Sequence, residues 1–332
     1  MANLLDSLTK MLTPRQTEQL AKLLNAKPAQ LPENIYTAGA LLLGAVNAQT
    51  RTSEGADALL ESLTRDRERR ADVMAAIEAG RGYPILDFLF GVGLPKVTEW
   101  VQDTAGVDVA PFLPAVAVMF MHALTETVRA QNLDAAGLAA YVKTEQDAFA
   151  RAKPQLASQL NAALDLGQNI VERADRLMQR FTPEEWDALA KLPSIAASAV
   201  MMRALSGPVG LNREYTALLQ ALAASAAANE PDSLVSLAAL SYNDPAQIDA
   251  LGVTESNALT RMRDACLQAL AILNDKASRE EIAAYKKMVV DVATQVAQAA
   301  NDGGVLGLGG KPINAEEQRT LDLLAAALAY PD

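Results

Sequence analysis

Residues 155–181 read QLASQLNAALDLGQNIVERADRLMQRF. Leu156, Leu160, Ala163, Gly167, Ile170, Ala174, Leu177 and Phe181 follow one another in alternating steps of four and three, and Leu164, Val171 and Met178 widen the same stripe. That period belongs to one face of an α-helix, whereas a strand repeats at every second residue. Glu172 stands one turn ahead of Arg176 on the polar side, the favourable order for a solvated pair. So wide a stripe predicts a helix in a bundle core. A dimerising coiled coil is the sharper alternative, but Ala163, Gly167 and Ala174 would fill a two-stranded seam poorly.

Helix starts are written along the rest of the chain. In Thr13-Pro14-Arg15-Gln16 and Thr182-Pro183-Glu184-Glu185, a capping hydroxyl precedes a proline at the first helical position, and Gln or Glu stands three residues after the cap. Ser278 with Glu281 and Asn314 with Glu317 follow the same logic without the proline, a side-chain acceptor meeting free N–H groups. The spacing of such signals predicts about sixteen to eighteen helices of about 10–20 residues each. No alternating strand pattern is present. Half of the residues are hydrophobic, only 5% are aromatic, and Ala and Leu dominate, so the bulk consists of good helix formers. The expected fold is all-α.

At 332 residues the chain exceeds the roughly 250–300 at which a single core stops growing, which predicts two domains. We expect helical bundles over 1–150 and 151–332, the second beginning with the long amphipathic helix and the boundary near Arg151 to Pro154. The net charge of -11 repels phosphate backbones and anionic membranes, so nucleic acid is not an expected partner. The single cysteine, Cys266, cannot form an intramolecular disulfide. The start, MANLLDSLTK, carries neither a basic leader nor an apolar run of signal-peptide length. The expected location is the cytoplasm. Ala110 to Leu124, APFLPAVAVMFMHAL, is shorter than the ~20 residues that cross a bilayer and contains Pro111, Pro114 and His122. It reads as a buried core helix.

The first half contains an internal echo. Leu4-Leu5-Asp6-Ser7-Leu8 returns as Ile85-Leu86-Asp87-Phe88-Leu89, and Pro14, Thr17 and Glu18 return at the same offset as Pro95, Thr98 and Glu99. One residue of slippage later, Leu31-Pro32 returns as Leu113-Pro114 and Leu42 as Leu124. Each copy then holds two short helices, a Leu-Pro corner, a long apolar helix and a closing amphipathic helix (Glu54 to Leu63, and Asp134 to Val142). Packed together, two such units would bury apolar helices that neither covers alone.

The order of a Leu-Pro corner, the helix TAGALLLGAVNAQ, then SEGADALLESL, with ILDFLFG in the second copy, resembles the YidB-like family of bacterial helical proteins of unknown function. The resemblance covers about residues 1–145. It implies a helical fold and a bacterial source, and no activity. The run VATQVAQAANDGGVLGLGGKPINAEEQRTL more faintly resembles other uncharacterised bacterial helical proteins.

Candidate chemistry is sparse. The glycine-rich stretch Asp302 to Pro312, DGGVLGLGGKP, fails as a Walker loop, because Val305 stands where the first glycine belongs and Pro312 where the hydroxyl belongs. It also lacks the third glycine of a dinucleotide fingerprint. The expected role is a helix-to-helix corner, in which Gly303 and Gly304 end one helix and Asn314 starts the next. His122, the only histidine, lies among apolar residues, and its counterpart in the first copy is Ala40. It reads as a core or edge residue rather than a base. One His and one Cys supply no zinc set and no di-iron Glu-x-x-His pairs, so neither metal nor cofactor is expected.

The pairs Glu184-Glu185, Glu280-Glu281 and Glu316-Glu317 could serve acid–base chemistry, but each falls in a first helical turn, where acids favour the positive helix end. Arg65-Asp66-Arg67-Glu68-Arg69-Arg70 reads as a solvated helix face with some capacity to bind an anion or an acidic partner. A helix-turn-helix over Gln16 to Val46 has the right size, yet its second helix, centred on TAGALLLGAV, offers nothing to base edges. No catalytic residue emerges.

These features predict a non-enzymatic, cytoplasmic helical scaffold or protein-interaction protein with a protein partner or self-association. The partner-contact candidates are Val305, Leu306 and Leu308 in the glycine-rich corner and Arg67, Arg69 and Arg70 in the basic stretch. The alternative is an apolar small-molecule or lipid-binding protein, with its ligand held in the Ala/Gly-lined core.

Overall fold

The computed structural model describes residues 3–65, 73–203, 207–242, 244–300 and 313–329. Among these residues there is no strand, and the fold is all-α. The chain divides into two compact units, Met1–Val171 and Glu172–Asp332.

The first unit runs α1 (Leu4–Lys10), α2 (Pro14–Leu23), a 3-10 turn at Pro28–Gln30, α3 (Leu31–Gln49), α4 (Ser53–Arg65) and α5 (Val73–Glu78). It continues with α6 (Gly82–Phe90), a second 3-10 turn at Gly91–Gly93, α7 (Leu94–Ala105), α8 (Leu113–Gln131) and α9 (Ala135–Ala152). The next helix, α10 (Pro154–Met178), begins in this unit. Its core is the pair α3 and α8, which pack on each other and are buried along most of their length. The apolar run Ala110 to Leu124 therefore lies largely in the buried part of α8. Among the described residues no helix is long and apolar enough to cross a membrane.

The stripe on α10 is observed as read. Leu160, Ala163, Gly167, Ile170 and Ala174 are buried, while Glu172 and Arg176 face solvent. Gly167 is small for an internal reason. A Cβ on it would lie 2.5 Å from Cγ2 of Val97, and a Cβ on Gly93 would lie 2.7 Å from the Gly167 carbonyl oxygen. Backbone thus meets backbone where α10 crosses the turn before α7. The position that would weaken a coiled-coil seam is filled by the chain's own α7. A helix break falls at Lys153, within the expected boundary, yet the first unit extends on to Val171 because Ala157, Leu160 and Ala163 belong to its core.

The second unit continues from α10 through α11 (Pro183–Met201), α12 (Gly207–Ala227), α13 (Leu234–Ser241), α14 (Pro245–Asp249), α15 (Ala258–Lys276), α16 (Arg279–Ala300) and α17 (Ala315–Ala329). Its centre is α11 and α16, with α15 on α11 and α12 on α16. All four expected caps are formed reciprocally. Gln16, Glu185, Glu281 and Glu317 accept from the backbone N–H groups of Thr13, Thr182, Ser278 and Asn314 at 3.0, 2.7, 2.8 and 2.7 Å. Each cap side chain accepts in return from the N–H of its partner.

Two of those glutamates also hold a distant cation. Lys276, two residues before the Ser278 cap, donates to Glu185 at 2.5 Å, and Arg180, two residues before the Thr182 cap, donates to Glu281 at 2.9 Å. The starts of α11 and α16 are therefore cross-tied. Deeper in the same pair, Pro193 sits inside α11. The phenol of fully buried Tyr285 on α16 donates to the carbonyl of Leu189.

Candidate functional site

The six residues singled out as partner contacts, Val305, Leu306, Leu308, Arg67, Arg69 and Arg70, lie outside the described residues, as does the stretch Asp302 to Pro312. The other candidates can be placed. His122 is exposed on α8, whereas Ala40 is buried in α3. Cys266 is fully buried, and desolvation pushes its thiol up to about 12, so little thiolate exists at neutral pH. Among the described residues no group of three or more His, Cys, Asp or Glu is gathered as a metal site would require.

The paired acids build helix starts. The hydrogen bond from Lys276, reinforced by the Thr182 N–H, holds Glu185 below the usual carboxylate range. Partial burial pushes Glu281 upward, but the Ser278 N–H and Arg180 outweigh it and the net displacement is downward. Glu316 accepts from Arg203 at 2.9 Å, and Glu317 closes the cap of α17. Glu185 and Glu281, stabilised as anions by their donors, are poor proton donors at neutral pH.

One polar cluster was not foreseen. Tyr242, just after α13, donates to Asp187 Oδ1 at 2.6 Å, Lys191 donates to Asp187 Oδ2 at 2.5 Å, and the Lys191 ammonium lies 5.5 Å from the Tyr242 ring centre. Ser194 donates to the Tyr242 carbonyl at 3.2 Å. Burial, then the bond to Asp187, raises the Tyr242 phenol, while the bond to Asp187 raises Lys191. Burial pushes the Asp187 carboxyl up, but the bonds from Lys191 and Tyr242 outweigh it, so a carboxylate held by both donors ties the end of α13 to α11.

The small residues of the apolar helix let its neighbours pack closely against α3. A Cβ on Gly39 would meet Leu8 Cδ1 at 2.8 Å, and one on Gly44 would meet Leu164 Cδ1 at 2.6 Å. These glycines allow close approach of neighbouring side chains. The burial of Ile35 to Val46, all but Tyr36 of it below the surface, also removes α3 as a DNA-recognition helix.

Open apolar surface lies elsewhere. Every exposed aromatic side chain among the described residues, Tyr83, Phe88 and Trp100, is on α6 or α7. In the second unit, Leu259, Met262 and Leu267 of α15 face Leu323, Ala326 and Ala327 of α17 across a groove of about 560 Å³, with Arg263 and Thr260 also lining it. Leu23, at the end of α2, is the most exposed leucine described, at 51%. In a chain with so few aromatics, Tyr83 and Trp100 could have been noted from the sequence. The groove could not, because it depends on how α15 and α17 pack.

Residues 6–127 match the model of a family described as a bacterial protein of unknown function (DUF937), within the stretch that resembles the YidB-like family. No curated protein and no solved structure matches the chain.

Proposed function

We propose that this chain is a non-enzymatic helical protein that acts in the cytoplasm by binding other proteins, as a scaffold or adaptor. The observation that carries this reading is the placement of exposed apolar side chains. Tyr83, Phe88 and Trp100 fall on adjacent helices of the first unit, and Leu259, Leu267 and Leu323 line one groove in the second. Aromatic and large aliphatic anchors are the side chains that protein interfaces draw on most. The acidic pairs support the same reading, since one carboxylate of each, Glu185, Glu281 and Glu317, is engaged in capping a helix. Light scattering coupled to size exclusion, with affinity capture of the tagged chain from its native cell, tests it. A stoichiometric partner or a defined oligomer is expected. A strict monomer that captures no protein overturns the reading.

The groove between α15 and α17 favours a second reading, binding of an apolar small molecule or lipid. Its volume of about 560 Å³ lies within the range of ligand clefts, and its walls are mostly aliphatic. Native mass spectrometry of the purified chain distinguishes the two. A co-purifying ligand lost on Leu267→Asp substitution would favour the second, and a ligand-free chain the first.

A further inference from the structure

The groove between α15 and α17 has two unlike walls. From α17 it receives Leu323, Ala326 and Ala327, all apolar. α15 turns a mixed face to it, with Leu259, Arg263 and Leu267 recurring at every fourth residue and Thr260 one turn before Arg263. Steps of four keep side chains on one side of a helix. Arg263 is the one charged residue among the described residues that line the groove, a cation in a chain whose net charge is -11. Leu259, Leu267 and Leu323 are all exposed, so apolar side chains of both walls meet water.

The guanidinium is only partly engaged. Its Nε and Nη2 donate to the same oxygen, Oδ1 of the adjacent Asp264, at 3.3 and 3.1 Å. A guanidinium binds a carboxylate best as a fork, with parallel bonds to both oxygens, and Asp264 does not use that mode. Both side chains are exposed, and a pair so exposed is held weakly. Thr260 lies in the first turn of α15, where the positive end of the helix dipole favours an anion. No side chain caps that turn, because the amide of Asn257 bonds the Thr254 N–H and the Gly252 carbonyl instead.

The polar groups of the lining thus fall within the first two turns of α15, while Leu267 and the whole α17 wall are aliphatic. At ~30 Å³ for each water-sized group, about 560 Å³ takes up about eighteen of them, one alkyl chain with its head rather than two chains. A single guanidinium balances the one charge of a carboxylate, whereas a phosphate monoester carries about −1.5 to −2.

We infer that the α15–α17 groove binds a single-chain amphiphile with a carboxylate head, a fatty-acid-like anion. Arg263 holds the head as a fork with the Thr260 hydroxyl beside it, and the chain lies against Leu267, Leu323 and Ala327. The inference rests on the reading of this groove as a ligand site and specifies the ligand's class. Arg263 selects the sign of the head, and the leucines hold the chain.

The probes are dodecanoate, dodecylammonium and dodecyl phosphate, each below its micellar concentration. They are titrated at neutral pH by isothermal calorimetry into the full chain and into its Arg263→Gln and Leu323→Gln variants. One dodecanoate is expected per chain. Dodecylammonium, and dodecanoate on Arg263→Gln, should each bind at least about tenfold more weakly, the loss of a charge-assisted pair. Leu323→Gln, neutral and on the other wall, should weaken both ions by a similar factor. Dodecyl phosphate should bind no more tightly than dodecanoate. Unchanged melting temperatures show that the variants are folded, since both replaced side chains are already exposed. Equal affinity for dodecanoate and dodecylammonium, or no effect of Arg263→Gln, overturns the inference. If Leu323→Gln still weakens binding in that case, the groove remains a ligand site and only the head assignment falls. Tighter binding of dodecyl phosphate overturns the carboxylate head. If no probe binds, or Leu323→Gln changes nothing, the reading of the groove as a ligand site falls as well.

Discussion

The Tyr285 hydroxyl donates to the carbonyl of Leu189, the one carbonyl of α11 that Pro193 deprives of its helical donor. An α-helix pairs each carbonyl with the N–H four residues on, and proline has none. The phenol replaces the lost bond from another helix, with both partners buried. Tyr285→Phe leaves a buried carbonyl unsatisfied and is expected to lower stability by about 1–3 kcal/mol. In Pro193→Ala the main-chain N–H returns, so Tyr285→Phe should cost less in that background. A double-mutant cycle by urea unfolding measures the coupling, and strictly additive effects would refute the compensation.

Glycine replacements should divide by what the new Cβ meets. At Gly82 it would lie 1.8 Å from the Pro114 carbonyl oxygen, which is backbone and cannot step aside. At Gly44 it would meet the flexible end of Leu164 at 2.6 Å. Gly82→Ala is expected to cost about 3 kcal/mol. Gly44→Ala, aided by the better helix propensity of alanine, should stay within about 1 kcal/mol of the parent. Thermal melts of the two variants decide it, and equal losses would contradict the geometry.

Acid should loosen the second unit through Glu185 and Glu281. Both carboxyls are held below their ordinary range in the folded chain, so each binds a proton more weakly folded than unfolded. Their contribution is complete above the unfolded value of about 4.3 and disappears as pH falls through the lowered folded values. Melting temperature should therefore drop below that point. In Glu281→Gln the drop should be shallower, because glutamine can still close the cap, as Gln16 does for Thr13. An unchanged acid profile would show that other carboxylates dominate.

Cys266 should be silent in the folded chain. Desolvation raises its thiol to about 12, and it is fully buried. A colorimetric disulfide reagent at pH 8 is expected to find no reactive thiol until denaturant is added, and then one per chain. Rapid reaction in native buffer would mean that the helices around it open far more readily than their packing implies.

The helix starts were legible because their information is local. Thr13 with Gln16, Thr182 with Glu185, Ser278 with Glu281 and Asn314 with Glu317 each lie within one turn, and all four close as their spacing predicts. The stripe on α10 was legible for the same reason. Pro193 was not, since a proline in the middle of a helix is tolerated only where something satisfies the carbonyl it strands, and that group lies 96 residues away. Gly167 reads as a weak core residue until Gly93 is seen against it. The exposed surfaces were the least legible. Leu23 looks like any apolar residue of an amphipathic helix, and its exposure becomes visible only in the packed unit.

The cross-ties of Arg180 to Glu281 and Lys276 to Glu185 bear on the time the second unit takes to fold. They link residues 101 and 91 positions apart, and the Tyr285 bond spans 96. Helical proteins fold quickly when their contacts are near in sequence, and slow as the chain between contacts lengthens. Each cap closes within its own first turn, but the ties between the two helix starts wait until Lys276 and Arg180 have met their partners. A ribosome that has released α11 holds a capped helix whose Glu185 still lacks Lys276, and the unit should become resistant to protease only after α15 and α16 have emerged.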